Sequence, residues 1–280
     1  MKASSMTKPR FFLFWVVFFT VTSGPFANPA VYADEPIPEV VTENIALFNG
    51  NNLSGWSVFI KGKEPGEDPD RVFSIENGIL HISGNGIGCI ASERSFRDYQ
   101  IIVKFKWGDK SWAPREDRCR DGGLLLHSVG LPGAYGGSWY YSIETNIIEG
   151  GLGDFIVVGD NTEKYAITAK VKKEKSKLGA WSYDPDGTPE RVFAGRIDWF
   201  ARDPEWVDSL GFRGKDDLDN PPGEWNELKV VCKGDTLDVY VNGTLVNQAY
   251  DVKPSSGRVQ IQTELAEYFI RRIELQPLEK

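Results

Sequence analysis

Cysteine and histidine are scarce in this sequence: its 280 residues hold three Cys, two His and two Met. Three cysteines (Cys89, Cys119, Cys232) allow at most one disulfide within the chain, so the fold is not stapled like a small secreted scaffold. No CxxC or Cys/His spacing is present, which excludes a structural zinc of that type on ligand count. Basic charge is also short. Lys and Arg number 32 against 40 Asp and Glu, a formal charge of −8. Phosphate-backbone binding needs clustered cations, so nucleic acid is not an expected partner. The one basic run, Lys170 to Lys177, contains Glu174 and reads as a solvated face. The apolar run Phe11 to Val21 is too short to span a bilayer comfortably. It follows Lys2, Lys8 and Arg10 and precedes Ala30 and Ala33, the pattern of a signal peptide over residues 1–33. Cleavage there would leave a more acidic mature chain, secreted or periplasmic, with no stable membrane span.

Helical periodicity is hard to find as well. Tyr99, Ile101, Val103, Phe105 and Trp107 alternate with Gln100, Lys104 and Lys106, the period of a half-buried strand. Leu228, Val230 and Cys232, then Leu237, Val239 and Val241, read as a hairpin. Asn77-Gly78 and Asn242-Gly243 supply residues that tolerate positive φ, as type I′ turns require. A closing strand, Arg258 to Thr263, turns Gln260 and Gln262 one way and Val259 and Ile261 the other. These signals predict an all-β, jelly-roll sandwich of two antiparallel sheets over residues 45–277, after a linker at 34–44. Trp225, just ahead of a strong strand, is expected in its core. Residues 160–222 are rich in charge, Pro and Gly yet hold Trp181, Trp199, Phe200 and Trp206. They predict a long inserted loop region that packs on the body or overhangs a site. Asp109 to Asp121 is a second candidate rim loop.

The stretch Trp139 to Phe155 carries the most chemistry. In a strand alternate residues share a face, so Ser142, Glu144 and Asn146 point one way while Tyr141, Ile143 and Ile147 point the other. A carboxylate thus lies between a hydroxyl and an amide, opposite an apolar face. Glu149 joins it only if a β-bulge adds one residue after Asn146. Upstream, the same alternation puts Gly123, Leu125 and His127 on one face of the strand Gly122 to Ser128.

Several motifs in order carry a resemblance. Leu47-Phe48-Asn49-Gly50 with Leu53-Ser54-Gly55-Trp56, Asp121-Gly122-Gly123, Ser142-Ile143-Glu144 with Gly153-Asp154-Phe155, Gly223-Glu224-Trp225-Asn226, Val241-Asn242-Gly243 and Gly257 to Gln262 with Arg271-Arg272-Ile273 span nearly the whole mature chain. With them the sequence resembles the 3-keto-disaccharide hydrolase domain family, whose fold is similar to the concanavalin-like lectins and glucanases. Asn146 stands where Gln is common in that family, and an Arg is more usual near His127.

The resemblance implies a carbohydrate partner, an oxidised glycoside or glycan, and cleavage of glycosides whose sugar carries a ketone at C3. The ketone acidifies the C2 proton, so a base starts an elimination that water later reverses at C1. On this reading Glu144 and His127 are candidates for the base or for ligands of a divalent metal (Mn²⁺, Mg²⁺ or Ca²⁺). Ser142, Asn146, Gln260 and Gln262 bind sugar hydroxyls, and Trp139 offers a stacking platform. Glu149 is a further catalytic candidate and Asp154 a further binding one, while Arg118 on the rim loop could steady an enolate. Two alternatives remain open. Glu144-x-Asn146-x-x-Glu149 resembles the Glu-x-Asp-x-x-Glu signature of family 16 glycoside hydrolases, where retaining hydrolysis needs carboxyls about 5–5.5 Å apart. The other is a non-catalytic lectin-like module that uses Trp139 and Trp225 as sugar platforms.

Overall fold

The computed structural model describes residues 35–279; the expected leader, residues 1–33, lies outside them. In chain order the strands are β1 (Glu39–Val40), β2 (Ile45–Ala46), β3 (Trp56–Ile60), β4 (Phe73–Glu76), β5 (Ile79–Ile82), β6 (Ile87–Arg97) and β7 (Tyr99–Ser111). There follow β8 (Asp121–Val129), β9 (Tyr141–Ile148), β10 (Phe155–Val158), β11 (Ala166–Val171), β12 (Trp181–Ser182), β13 (Thr188–Val192) and β14 (Gly195–Asp198). The last are β15 (Asn226–Lys233), β16 (Thr236–Val241), β17 (Thr244–Lys253), β18 (Gly257–Glu264) and β19 (Ala266–Gln276). Among the described residues there is no helix, hence none long and apolar enough to cross a membrane.

The strands form two sheets. A nine-stranded one runs β1-β6-β18-β8-β9-β10-β14-β12 with β3 beside β6; a ten-stranded one runs β13-β11-β17-β16-β15-β7-β19-β5-β4 with β2 beside β19. Nearly all pairings are antiparallel. Alternation decides which way each side chain faces. Leu124, Leu126, Ile143, Ile147 and Phe155 of the first sheet meet Ile101, Val103, Leu228, Val230 and Val239 of the second in one buried core. Burying each such side chain stabilises by roughly 1.5–3 kcal/mol, and this sandwich core is what fixes strand register. The two Asn-Gly turns form as expected, with φ of 52° and 80° at Asn77 and Gly78 and of 46° and 87° at Asn242 and Gly243.

Two local expectations change. Residues 160–222 do pack on the body, but as strands: β11 and β13 extend one sheet while β12 and β14 extend the other. These strands are two to six residues long and interrupted by charge, which hides their period. Trp225 is half-buried and shares an outer face with Lys106, lying between its Nζ at 5.3 Å and the Arg271 guanidinium at 4.4 Å. The long cationic stems cover the ring, so it needs no place in the core. All three cysteines are free and buried, so no disulfide forms within the chain.

Candidate functional site

β8, β9 and β18 lie side by side in the middle of the nine-stranded sheet, and their outward-facing residues form rows. Leu125 stands opposite Glu144 and Gln260, and Gly123 opposite Asn146. On β9 the register with β8 runs unbroken from Ile143 to Ile148, so Ser142, Glu144 and Asn146 share the outward face. Gly123 leaves room at its centre. A Cβ there would come within 2.7 Å of both Glu144 Oε1 and Gln262 Oε1, so these two oxygens converge over a residue that has no side chain.

Glu144 is 4% exposed and makes no hydrogen bond or ion pair among the described residues. Asn146 Oδ1 and Gln262 Oε1 are buried and likewise without partners. A carboxyl flanked by two idle amide oxygens is a costly arrangement, since a buried acceptor left unsatisfied costs about 1–3 kcal/mol. Burial pushes the Glu144 carboxyl well above the ordinary carboxylate range, and the carboxyls of Asp121 and Glu264 push it the same way. Arg196 on β14 opposes them. Ile156 pairs with both Glu144 and Arg196, so the guanidinium belongs to the same row two strands away, roughly 10 Å between backbones.

The surrounding charges are clamped. Arg115 bridges Asp121 at 3.2 Å and Glu264 at 2.9 Å and donates to the Cys119 carbonyl at 2.9 Å. Asp154 pairs with Arg202, lies 3.5 Å from Arg196 and accepts the Trp199 N–H at 2.8 Å. Asp198 is pushed up to about 7, by burial first and by Asp154 second. Glu144 differs from all of these acids but Asp198 in having no group that fixes it.

The residues singled out in the sequence are not all brought together. Glu144, Ser142, Asn146, Gln260, Gln262 and Asp154 share the outward face. Of these, Gln260 is occupied, its Oε1 accepting the Tyr140 N–H and its Nε2 donating to Ser128 Oγ. Ser142 is fully buried against the Tyr140 carbonyl. Trp139 is half-buried, donates to the Gly88 carbonyl at 3.0 Å and stacks on Tyr135 at the far side of this face. Arg118 is half-exposed and bound to Asp208 at 2.6 Å.

His127 leaves the face on which the alternation puts it. The register of β8 slips between Leu126 and Val129, and His127 takes φ of 54°, so its ring turns inward. There it meets Tyr99 edge-on, with ring centroids 6.1 Å apart, and Nδ1 bonds the Pro254 carbonyl at 3.0 Å. Burial lowers it to about 4, which keeps it neutral near pH 7. The slip that would have brought Glu149 onto the face of Glu144 is absent. Glu149 instead lies in the turn after β9, where it accepts Arg120 Nη1 at 2.6 Å and the N–H groups of Arg120 and Gly211 at 2.9 Å each. Glu149 therefore ties the 199–222 segment to the hairpin and does not stand across a sugar from Glu144.

Glu144 and His127 lie on opposite faces of the sheet and cannot share one metal ion. Among the described residues, no three His, Cys, Asp or Glu side chains gather to hold one. Three residues of the site escaped the sequence reading: Asp121, Glu264 and Arg196. Asp121 and Glu264 continue the alternations of Gly123-Leu125 and Gln260-Gln262 and were findable by extending them. Arg196 lies in a four-residue strand that reads as loop.

The model of the 3-keto-alpha-glucoside-1,2-lyase-like domain matches residues 43–276. No curated protein matches the chain. Among solved structures, a candidate glycosyl hydrolase from Parabacteroides distasonis is 16% identical, covering 85% of this chain and 94% of its own, with a TM-score of 0.49. A carbohydrate-binding module from Bacillus subtilis is 14% identical over 85% of this chain and 99% of its own, at 0.38. A Bacillus licheniformis β-glucanase is 10% identical over 84% and 97%, at 0.41. Overlaps this loose say nothing about what the chain binds.

Proposed function

The chain belongs to the 3-keto-alpha-glucoside-1,2-lyase-like domain family, and on that premise we propose that it cleaves glycosides whose sugar carries a ketone at C3, with Glu144 as the base. The ketone acidifies the neighbouring C2–H. Glu144 takes that proton, and the electron pair moves toward the C3 oxygen as an enolate. The enolate then expels the C1 substituent, which leaves with the C1–O pair. Water adds at C1 of the resulting enone while C2 regains a proton from the Glu144 carboxyl, and the sum is hydrolysis.

One observation carries this reading: a buried carboxyl free of any partner, beside two amide oxygens equally free. A raised pKa makes Glu144 a stronger base than a surface carboxylate, and perturbed acids of this kind cluster at working sites. Asn146 Oδ1 and Gln262 Oε1 are placed to accept sugar hydroxyls, which would relieve their unmet hydrogen-bonding capacity on binding. Arg196 supplies the positive charge that an enolate oxygen calls for. Among the described residues no second carboxyl stands free directly across from Glu144 in the manner of a retaining glycosidase pair.

The test offers purified protein a 3-keto-glucoside and the unoxidised parent glucoside in parallel, with sugar release followed by chromatography. Release from the keto compound alone is expected. Release from the parent compound, or from neither, overturns the proposal.

A further inference from the structure

The ten-stranded sheet turns its own outer face to solvent, on the side of the sandwich away from Glu144. Three successive rows cross the middle of that face. Phe269 stands opposite Lys106, Lys104 opposite both Arg272 and Glu227, and Ile102 opposite both Glu274 and Lys229, with Tyr240 next to Lys229. Two of these cations are neutralised, Lys104 by Glu227 at 3.0 Å and Arg272 by Glu274 at 2.8 Å. Three others are not. Lys106, Lys229 and Arg271 have no carboxylate partner among the described residues and rest on rings instead. Lys106 Nζ lies 5.3 Å from the Trp225 ring and 5.4 Å from that of Phe269, Lys229 Nζ 4.3 Å from Tyr240, and the Arg271 guanidinium 4.4 Å from Trp225. A ring holds a cation in place without cancelling its charge. The neighbouring arginines owe their placement to a register slip in β19 between Ile270 and Arg272, a bulge that leaves Arg271 outside the ladder. Both line a hollow of about 370 Å³ with Lys104, and its one carboxylate, Glu274, is already taken by Arg272 and Gln276. At the margins of the face, Asp238 accepts from Gln248 and Glu267 bonds His81. In a chain of formal charge −8, three uncompensated positive charges side by side reverse the local sign.

From this arrangement we infer that the outer face of the ten-stranded sheet docks an acidic polysaccharide, one whose sugars carry carboxylates, independently of the chemistry at Glu144. The guanidinium fork of Arg271 matches a carboxylate with two parallel N–H bonds, and the hollow beside it has room for the group. Lys106 and Lys229, already held by their rings, lose little freedom when further carboxylates along the chain reach them. Carbohydrate is the class to which the family of this chain points. A lipid surface fits less well. Among the described residues, every large apolar side chain that stands exposed, Leu178, Phe193 and Val207 included, lies outside β5, β7, β15, β16 and β19, so the face has nothing to insert into a bilayer. Nucleic acid fits less well too, since backbone binding commonly uses about 6–10 phosphate contacts. Nor can Trp225, held between Lys106 and Arg271, offer its ring to a base.

Calorimetric titration with polygalacturonate and with its methyl ester, at low and at physiological salt, tests this on the wild type, Arg271→Gln, Lys229→Gln and a variant that combines both with Lys106→Gln. The wild type is expected to bind the acid and not the ester, and to bind it more weakly as salt screens the exposed charges. Each single variant should weaken binding about two- to fivefold and the combined one at least about tenfold. Turnover of a soluble 3-keto-glucoside should be the same in all four proteins. Arg271 is exposed, so Arg271→Gln keeps the test decisive should the combined variant not fold. Ester bound as tightly as acid, no binding of either, equal binding of polyglutamate or of phosphatidylserine vesicles, or folded variants that bind like the wild type overturns the inference. If the binding pattern holds while the wild type cleaves no keto-glucoside, the reading at Glu144 falls and the docking face stands.

Discussion

Replacing Glu144 by Gln is expected to make the protein more stable and inactive at once. Because the folded state holds a proton on Glu144 at pH values where the unfolded chain has lost it, stability falls as pH rises from the ordinary carboxylate range toward the raised folded value. The loss is about 1.4 kcal/mol per unit of pH across that window. Glutamine does not titrate, so the variant escapes it. Its amide N–H is also expected to reach Gln262 Oε1, which converges with it over Gly123 and whose unmet state costs about 1–3 kcal/mol. A net gain of about 2 kcal/mol at pH 8 corresponds to a rise in Tm of about 4–8 °C for a domain of this size. Turnover of the 3-keto substrate should fall about 10²–10⁴-fold with the base gone. Scanning calorimetry at pH 4 and pH 8 checks the first part, and the gap between variant and wild type should be wider at pH 8. A lower Tm at pH 8, a gap indifferent to pH, or full activity in the variant would refute the reasoning.

Arg196→Gln should lower kcat about 10²–10³-fold with little change in KM, while Arg202 still holds Asp154; steady-state kinetics on the keto compound checks it. His127→Ala should cost about 1–3 kcal/mol in urea unfolding but leave the pH–rate profile where it was, since the imidazole serves the core. Glu149→Ala strands the buried Arg120 guanidinium and should cost about 3–5 kcal/mol, with kcat of the folded fraction within about twofold of wild type.

The sandwich was legible because strand period and turn chemistry are local. Residues 141–148 alternate cleanly, and the two Asn-Gly pairs turn where they should. The outward set Ser142, Glu144 and Asn146 followed from that period alone. His127 did not, because one extra residue in β8 reverses everything beyond it, and no residue type between Gly122 and Ser128 marks the slip. Glu149 looked free because the groups that claim it, Arg120 and Gly211, are 29 and 62 positions away. Arg196 was hidden for a different reason: a strand of four residues has too little length to display a period.

β12 and β13 hang on the outermost positions of the two sheets, with β14 beside β12. Short border strands contribute little to the central packing, and Pro189 in β13 interrupts hydrogen bonding where a neighbouring molecule could otherwise attach. Arg196 on β14 apart, exchanges there are expected to leave Glu144 and the residues behind it undisturbed. The margins of the sheets can therefore vary while the outward row around Glu144 stays constant, and descendants of one ancestral sandwich can part ways at their borders before they part ways at their centre.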